Sequence, residues 1–203
     1  RAPPVVSGET GVTIPYPSNP APVTPPSGAT RPRITFLGTG YLGATYAICY
    51  AELGYEVLGY DVDAEKIAKL NSGEVPIHEP GLDELLRRNL GTGRLRFTTD
   101  IAETADFGDV HFICVGTPQR ADGMGADLSY VEAAVTDLAR HMTRRGLIVG
   151  KSTVPVGTAE WVEQLVSRYA PPELGVEVAW SPEFLQEGYA VDDVLRPNRI
   201  VVG

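Results

Sequence analysis

Residues 34–47, ITFLGTGYLGATYA, constrain this chain more than any other stretch of it. Gly38, Gly40 and Gly43 stand in the spacing G-x-G-x-x-G. Alone that spacing is weak, since a glycine-rich turn needs no ligand. Its setting narrows the fold. A β-type run at 33–37 leads in, and an apolar helical run at 41–53 leads out and stops at Gly54. A second β-type run at 56–60 then ends in Asp61, 23 residues after Gly38. Strand, tight turn, helix start and acid-tipped strand together make the unit that holds a dinucleotide.

Each part has a physical job. Gly38 permits the tight turn, Gly40 lets the backbone approach a pyrophosphate, and Gly43 lets the helix pack close to the strand. Tyr41 and Leu42 open the helix, whose unpaired N–H groups carry about +0.5 of an elementary charge towards an anion. Asp61 is placed to accept hydrogen bonds from the adenosine ribose diol and to repel a 2′-phosphate, which favours NAD over NADP. FAD competes, because its ADP half is read the same way.

The same logic of alternation extends along the chain. Further β-type runs lie at 94–98, 110–115, 147–150, 176–180 and 199–202, with helical patterns between them. The clearest helix spans 129–142, where Val131, Ala134, Val135, Leu138 and Met142 fall on one face. Ser129 and Glu132 are spaced as its capping box. Strands alternating with helices predict an α/β fold, a doubly wound, mostly parallel sheet of the Rossmann type. Runs such as FICV, apolar on both sides, suit a sheet covered on both faces. Residues 1–32 differ: they hold nine of the 17 prolines and no apolar period, so an extended or irregular leader or linker is expected. The domain is placed at 33–203. Residue 1 is Arg and the chain stops after NRIVV, which reads as a piece of a longer protein.

Composition removes several classes of function. A net charge of -9 argues against a nucleic-acid surface and against an anionic membrane face. No run reaches 18 apolar residues, so no membrane span is expected. Two cysteines make no disulfide framework, and a reducing, cytoplasmic setting is the simpler reading. Cys49 in a helix and Cys114 in a strand read as small buried hydrophobes without a basic neighbour. His78, His111 and His141 share no ligand spacing, so no metal is expected.

Ligands of open α/β sheets sit beyond the carboxyl ends of the strands. Three polar stretches fall there: VGTP (115–118), KSTVPVGT (151–158) and SPEFLQEG (181–188). Thr117, Ser152 and Thr153 either contact a ligand or only cap turns. Glu183 and Glu187 lie four apart, and on a helix they share one face. They are either a wet surface or one wall of a site.

Taken in order, GTGYLGA (38–44), YDVD (60–63), EPGL (79–82), DVHFICVGTP (109–118), DLSYV (127–131), KSTVPVGT, SPEFLQEG and PNRIVVG (197–203) resemble the NAD-binding part of the UDP-glucose/GDP-mannose dehydrogenase family. The likeness runs nearly end to end over 33–203, and Arg199 matches the UDP-sugar members, those acting on UDP-glucose foremost. The resemblance implies a two-step, NAD-dependent oxidation of a UDP-sugar alcohol to the uronic acid through a thioester, in a route to polysaccharides. It implies that Thr153 and Glu183 order or activate the hydrolytic water, and that Glu187 contacts cofactor and sugar. Phe184, Leu185 and Gln186 lie along the substrate. Lys66 sits near the adenosine ribose or pyrophosphate, and Val115, Thr117 and Ser152 line the cofactor. The nucleophilic cysteine of the family matches neither Cys49 nor Cys114, so this stretch alone is expected to bind NAD and turn over nothing. The complete protein is expected to be a homodimer or larger. GDP-mannose or UDP-N-acetylmannosamine as substrate, and a non-catalytic nucleotide-sensing module, are the alternatives.

Overall fold

The computed structural model describes residues 12–15 and 31–203. The rest of the 1–32 leader lies outside the described residues. Six strands form one parallel sheet: β2 (Ile34–Leu37), β3 (Val57–Tyr60), β4 (Leu95–Thr98), β5 (Val110–Ile113), β6 (Leu147–Gly150) and β7 (Glu177–Trp180). Their order is β4-β3-β2-β5-β6-β7. The chain therefore winds outward from β2 in one direction, then returns to β5 and winds outward in the other. The reversal between β2 and β5 is the switch point at which such sheets bind ligands.

Helices pack on both faces, leaving part of one face, at Phe112 and Val149, to line an open cleft. One layer, with α1 (Tyr41–Glu52), α2 (Ala64–Asn71), α3 (Leu82–Gly91) and α7 (Ala190–Leu195), packs on Phe36, Val57 and Phe97. The other, with α4 (Ile101–Phe107), α5 (Ser129–His141) and α6 (Thr158–Tyr169), packs on Leu37, Ile113 and Ile148. Neighbouring residues of one strand point to opposite layers: Phe36 faces one core and Leu37 the other, each fully buried. That is why the central strands β2, β3 and β6 are buried almost along their whole length, while the edge strand β4 alternates buried and more exposed residues. In α1, Ala44, Ala47 and Ala51 are fully buried, and their small side chains let the helix lie close on the sheet. It stops where Gly54 turns the backbone left-handed at φ +89°.

Three expectations need correction. The run at 199–202 does not join the parallel sheet. As β8 (Arg199–Val202) it pairs antiparallel with β1 (Val12–Pro15), Val12 opposite Val202 and Pro15 opposite Arg199. Gly203 then exchanges two backbone bonds with Trp180, at 2.8 and 2.9 Å. The leader thus holds a strand, VTIP, whose β-branched residues favour pairing although prolines surround it. The Ser129–Glu132 capping box does not start α5. Ser129 is already a helical residue, and its N–H donates to the Asp127 carboxylate at 2.9 Å. Glu183 and Glu187 share no helix face, because 181–186 is irregular, 187–189 is a turn, and α7 begins only at Ala190. Pro182 and the left-handed Gly188, at φ +85°, keep the segment out of a helix.

Candidate functional site

The turn between β2 and α1 is built by steric necessity. Gly38 has φ +93°, and a Cβ there would meet the Val115 nitrogen at 2.9 Å. A Cβ on Gly43 would lie 1.8 Å from the Gly38 carbonyl oxygen, so helix and turn touch through bare backbone. Gly40 faces open space, with nothing within 4 Å of an added Cβ. It is also the N-cap of α1, and no side chain caps that helix or places a negative charge in its first turn. Open space, uncapped amides and a positive helix end together fit a diphosphate.

Asp61, at the tip of β3, is 7% exposed and tied to this turn. Its Oδ2 accepts from the Thr39 N–H at 2.7 Å, the Thr39 hydroxyl at 3.0 Å and the Lys66 ammonium at 2.8 Å. Its Oδ1 takes only a longer bond, 3.1 Å, from the Asp63 N–H. Burial by itself would raise the carboxyl pKa. The bonds from Lys66, Thr39 and Asp63 outweigh burial and hold it below the usual range, so the group is an anion. Oδ1 is the oxygen with capacity left for a ribose hydroxyl. The Thr39 bridge was not read from the sequence, where Thr39 is only an x of the motif.

Across the switch point, hydroxyls stitch the strand ends together. The Ser152 hydroxyl donates to the Val115 carbonyl at 2.6 Å, and the Thr117 hydroxyl to the Thr153 carbonyl at 2.8 Å. The Trp180 indole N–H donates to the Ser152 carbonyl at 3.1 Å. Ser152 is buried, and its side chain is spent on the scaffold; Thr153 is exposed at the rim. The sequence left open whether these groups contact ligand or hold turns, and Ser152 and Thr117 do at least the second.

The 181–188 stretch divides. Glu183 is half-buried, and its carboxylate accepts from the Leu185 N–H at 2.5 Å. With Lys151, Tyr46, Phe184, Leu185 and Gln186 it lines a cleft of about 590 Å³. That cleft lies against the sheet face at Phe112 and Val149, not over the phosphate turn. Glu187 is exposed and adds to the negative field at the Tyr41 phenol. The Arg199 guanidinium stacks 4.3 Å from the centre of the Phe184 ring.

Lys151, beside its hydroxyl neighbours, carries no periodic pattern in the sequence. It is 6% exposed, its ammonium lies 4.5 Å from the centre of the Tyr46 ring, and burial pulls its pKa down. It also gives Cys114 the basic neighbour that the sequence did not show. Burial wins nonetheless: the Cys114 thiol is pushed up to about 12 despite Lys151, and the Cys49 thiol to about 12 as well. His111 is fully buried, with Nδ1 2.8 Å from the Thr35 hydroxyl, and burial pushes its pKa down to about 4. Among the described residues no cluster of His, Cys, Asp or Glu is arranged to hold a metal. No described helix is long and apolar enough to cross a membrane.

The chain is similar to known proteins. The family model for the UDP-glucose/GDP-mannose dehydrogenase family, NAD binding domain, matches residues 32–203. A UDP-glucose 6-dehydrogenase of Rhizobium meliloti is 46% identical over 171 residues, covering 84% of this chain and 39% of the relative. A GDP-mannose 6-dehydrogenase of Pseudomonas putida is 42% identical over 179 residues, covering 84% and 40%. Among solved structures, a UDP-glucose dehydrogenase of Pyrobaculum islandicum superposes with a TM-score of 0.79 at 43% identity, over 86% of this chain and 41% of that one. The chain thus spans about 40% of the length of these relatives.

Proposed function

The chain belongs to the UDP-glucose/GDP-mannose dehydrogenase family, as its NAD-binding domain, and from that premise we propose that it serves a UDP-glucose 6-dehydrogenase. The observation that carries this is the turn itself: the Gly38–Gly40–Gly43 backbone, the uncapped start of α1, and an ionised Asp61 fastened to Thr39. NAD bound here would accept one hydride in each of the two oxidations, two molecules of NAD being used in all. Everything else falls to the protein. The amides of Tyr41 and Leu42 hold the diphosphate, Asp61 grips the adenosine ribose, and Lys66 steadies Asp61 from the side. Val115, Thr117, Ser152 and Thr153 frame the nicotinamide end. Phe184, Leu185 and Gln186 run along the sugar nucleotide, with Glu187 between sugar and cofactor.

In the chemical sequence we propose, a primary alcohol loses one hydride and one proton and becomes an aldehyde. A cysteine thiolate adds to that aldehyde, and loss of the second hydride leaves a thioester. Glu183 and Thr153 orient the water that hydrolyses it, releasing UDP-glucuronate and the thiol. Neither cysteine described above suits the nucleophilic role, because thiols held near 12 are not thiolates at neutral pH. The thiol therefore comes from outside residues 32–203, in a cytoplasmic protein that works as a homodimer or larger.

UDP-glucose is favoured over GDP-mannose and UDP-N-acetylmannosamine by identity among solved structures, 43% to a UDP-glucose dehydrogenase against 38% to a GDP-mannose dehydrogenase and 36% to a UDP-D-ManNAc dehydrogenase. The test is NADH absorbance across a panel of nucleotide sugars. The longer protein should reduce two equivalents of NAD per UDP-glucose, and the 203-residue chain none. Turnover by the chain alone, or preference for another sugar in the longer protein, contradicts the proposal.

A further inference from the structure

Glu79 lies in the loop between α2 and α3 and is 5% exposed. None of the roles above uses it, yet both of its oxygens are engaged. Oε2 accepts from the Tyr41 hydroxyl at 2.8 Å and from the Gly188 N–H at 2.9 Å. Oε1 accepts from the Ala190 N–H at 2.8 Å. Burial alone would raise the carboxyl pKa. The bonds from Tyr41 and from the amides of Gly188, Ala190 and Val191 outweigh it and keep the group ionised. A buried anion is costly unless it is paired or well hydrogen-bonded, so convergence of these donors on one carboxylate calls for more than packing.

The two ends of this contact matter. Tyr41 is the first residue of α1, adjoining Gly40 in the phosphate turn. Gly188 directly follows Glu187 and closes the 181–188 stretch. One side chain is thus bonded at once to the cradle, 38 residues before it, and to the turn, 109 and 111 residues after it. No other described side chain in the bonds above joins these two regions.

We propose that Glu79 is a positioning residue: it holds the Gly188–Ala190 turn, and with it Glu187 and the 181–186 wall, against the Tyr41 end of the phosphate cradle, so that a dinucleotide bound there tightens the wall. The inference rests on the reading of 181–188 as the wall beside the cofactor. Glu79 reaches no substrate in this scheme and acts through Tyr41 and the turn.

Residue-resolved hydrogen exchange on the 203-residue chain, with and without NAD, tests it. NAD should slow exchange at the Gly188, Ala190 and Val191 amides about threefold or more in the unaltered chain. Glu79→Gln keeps the shape, but its amide nitrogen cannot accept a hydrogen bond. Exchange at those amides should rise about tenfold, the size of one charge-assisted hydrogen bond, and the response to NAD should vanish. Tyr41→Phe leaves the carboxylate on the turn amides. Basal protection should then stay within about twofold while the response to NAD is lost, which decides the matter even if Glu79→Gln does not fold. Three results overturn the proposal: a folded Glu79→Gln with unchanged protection, unaltered chain that binds NAD without a response at 188–191, or Tyr41→Phe that responds as fully as the unaltered chain. Should the folded unaltered chain show no heat with NAD in calorimetry, the cofactor reading fails instead. The ligand-free comparison with Glu79→Gln then still decides whether Glu79 holds the turn.

Discussion

The phosphate turn and the 181–188 wall are assembled by different physics. The turn is set by contact. Gly43 sits where a single methyl group would lie 1.8 Å from the Gly38 oxygen, and Asp61 is tied to Thr39 only 22 residues away. The wall has no such steric lock. It is irregular, its Gly188 faces open space, and the bonds from Glu79 that hold its end reach across more than 100 residues. A region shaped by backbone contact tolerates almost no change, whereas one held by side-chain bonds can loosen while the rest stays folded.

The largest predicted effect lies in the turn. Gly43→Ala must push α1 away from the Gly38 carbonyl, at a cost of about 3 kcal/mol or more in stability, with loss of NAD binding. Denaturant melts and NAD titration of the variant check this. A folded Gly43→Ala that binds NAD normally would erase the distinction between the regions.

Acid sharpens the comparison next, through the sheet behind the turn. There β2 and β5 are paired, and Thr35 and His111 are bonded across them. His111 has a folded pKa near 4 against an ordinary 6.5, so it is neutral in the folded chain and takes up a proton readily only when unfolded. Its contribution is full above pH 6.5 and is lost as the pH falls towards 4, up to about 3 kcal/mol. Asp61, with its pKa lowered from 3.8, also loses stability on acidification, but in a lower window. Stability measured against pH should therefore already slope between 6.5 and 4, and His111→Gln should flatten that slope. An unchanged slope in the variant assigns it elsewhere.

The smallest effect belongs to the wall. Gly188 has φ +85° with no atom within 4 Å of an added Cβ, so Gly188→Ala meets only backbone strain, about 1 kcal/mol. A loss as large as that of Gly43→Ala, in the same denaturant series, would show the wall to be sterically locked as well.

The same contrast explains what could be read from the sequence. The turn, the stop of α1 at Gly54, the terminal Asp61 and the parallel strands were legible, because each rests on a short-range rule: glycine spacing, apolar runs, a left-handed helix end. Glu183 and Glu187 do not share a helix face, since Pro182 and Gly188 override their four-residue spacing. The Ser129 capping box failed because Asp127, two residues earlier, takes the Ser129 amide first. The strand Val12–Pro15 was hidden by the prolines around it and exists by pairing with residues almost 190 positions away. Lys151 over Tyr46, Thr39 on Asp61 and Glu79 on Gly188 leave no periodic trace, since side-chain bonds between distant elements follow from the fold rather than produce it.

Calorimetric titration of the folded 203-residue chain with NAD and, separately, with NADP tests the central claim most directly. The account predicts one NAD per chain and NADP weaker by about tenfold or more, since the proposed role of the buried Asp61 anion at the adenosine ribose would set it against a 2′-phosphate. NADP binding as tightly as NAD, or no heat from either with a folded sample, would contradict it.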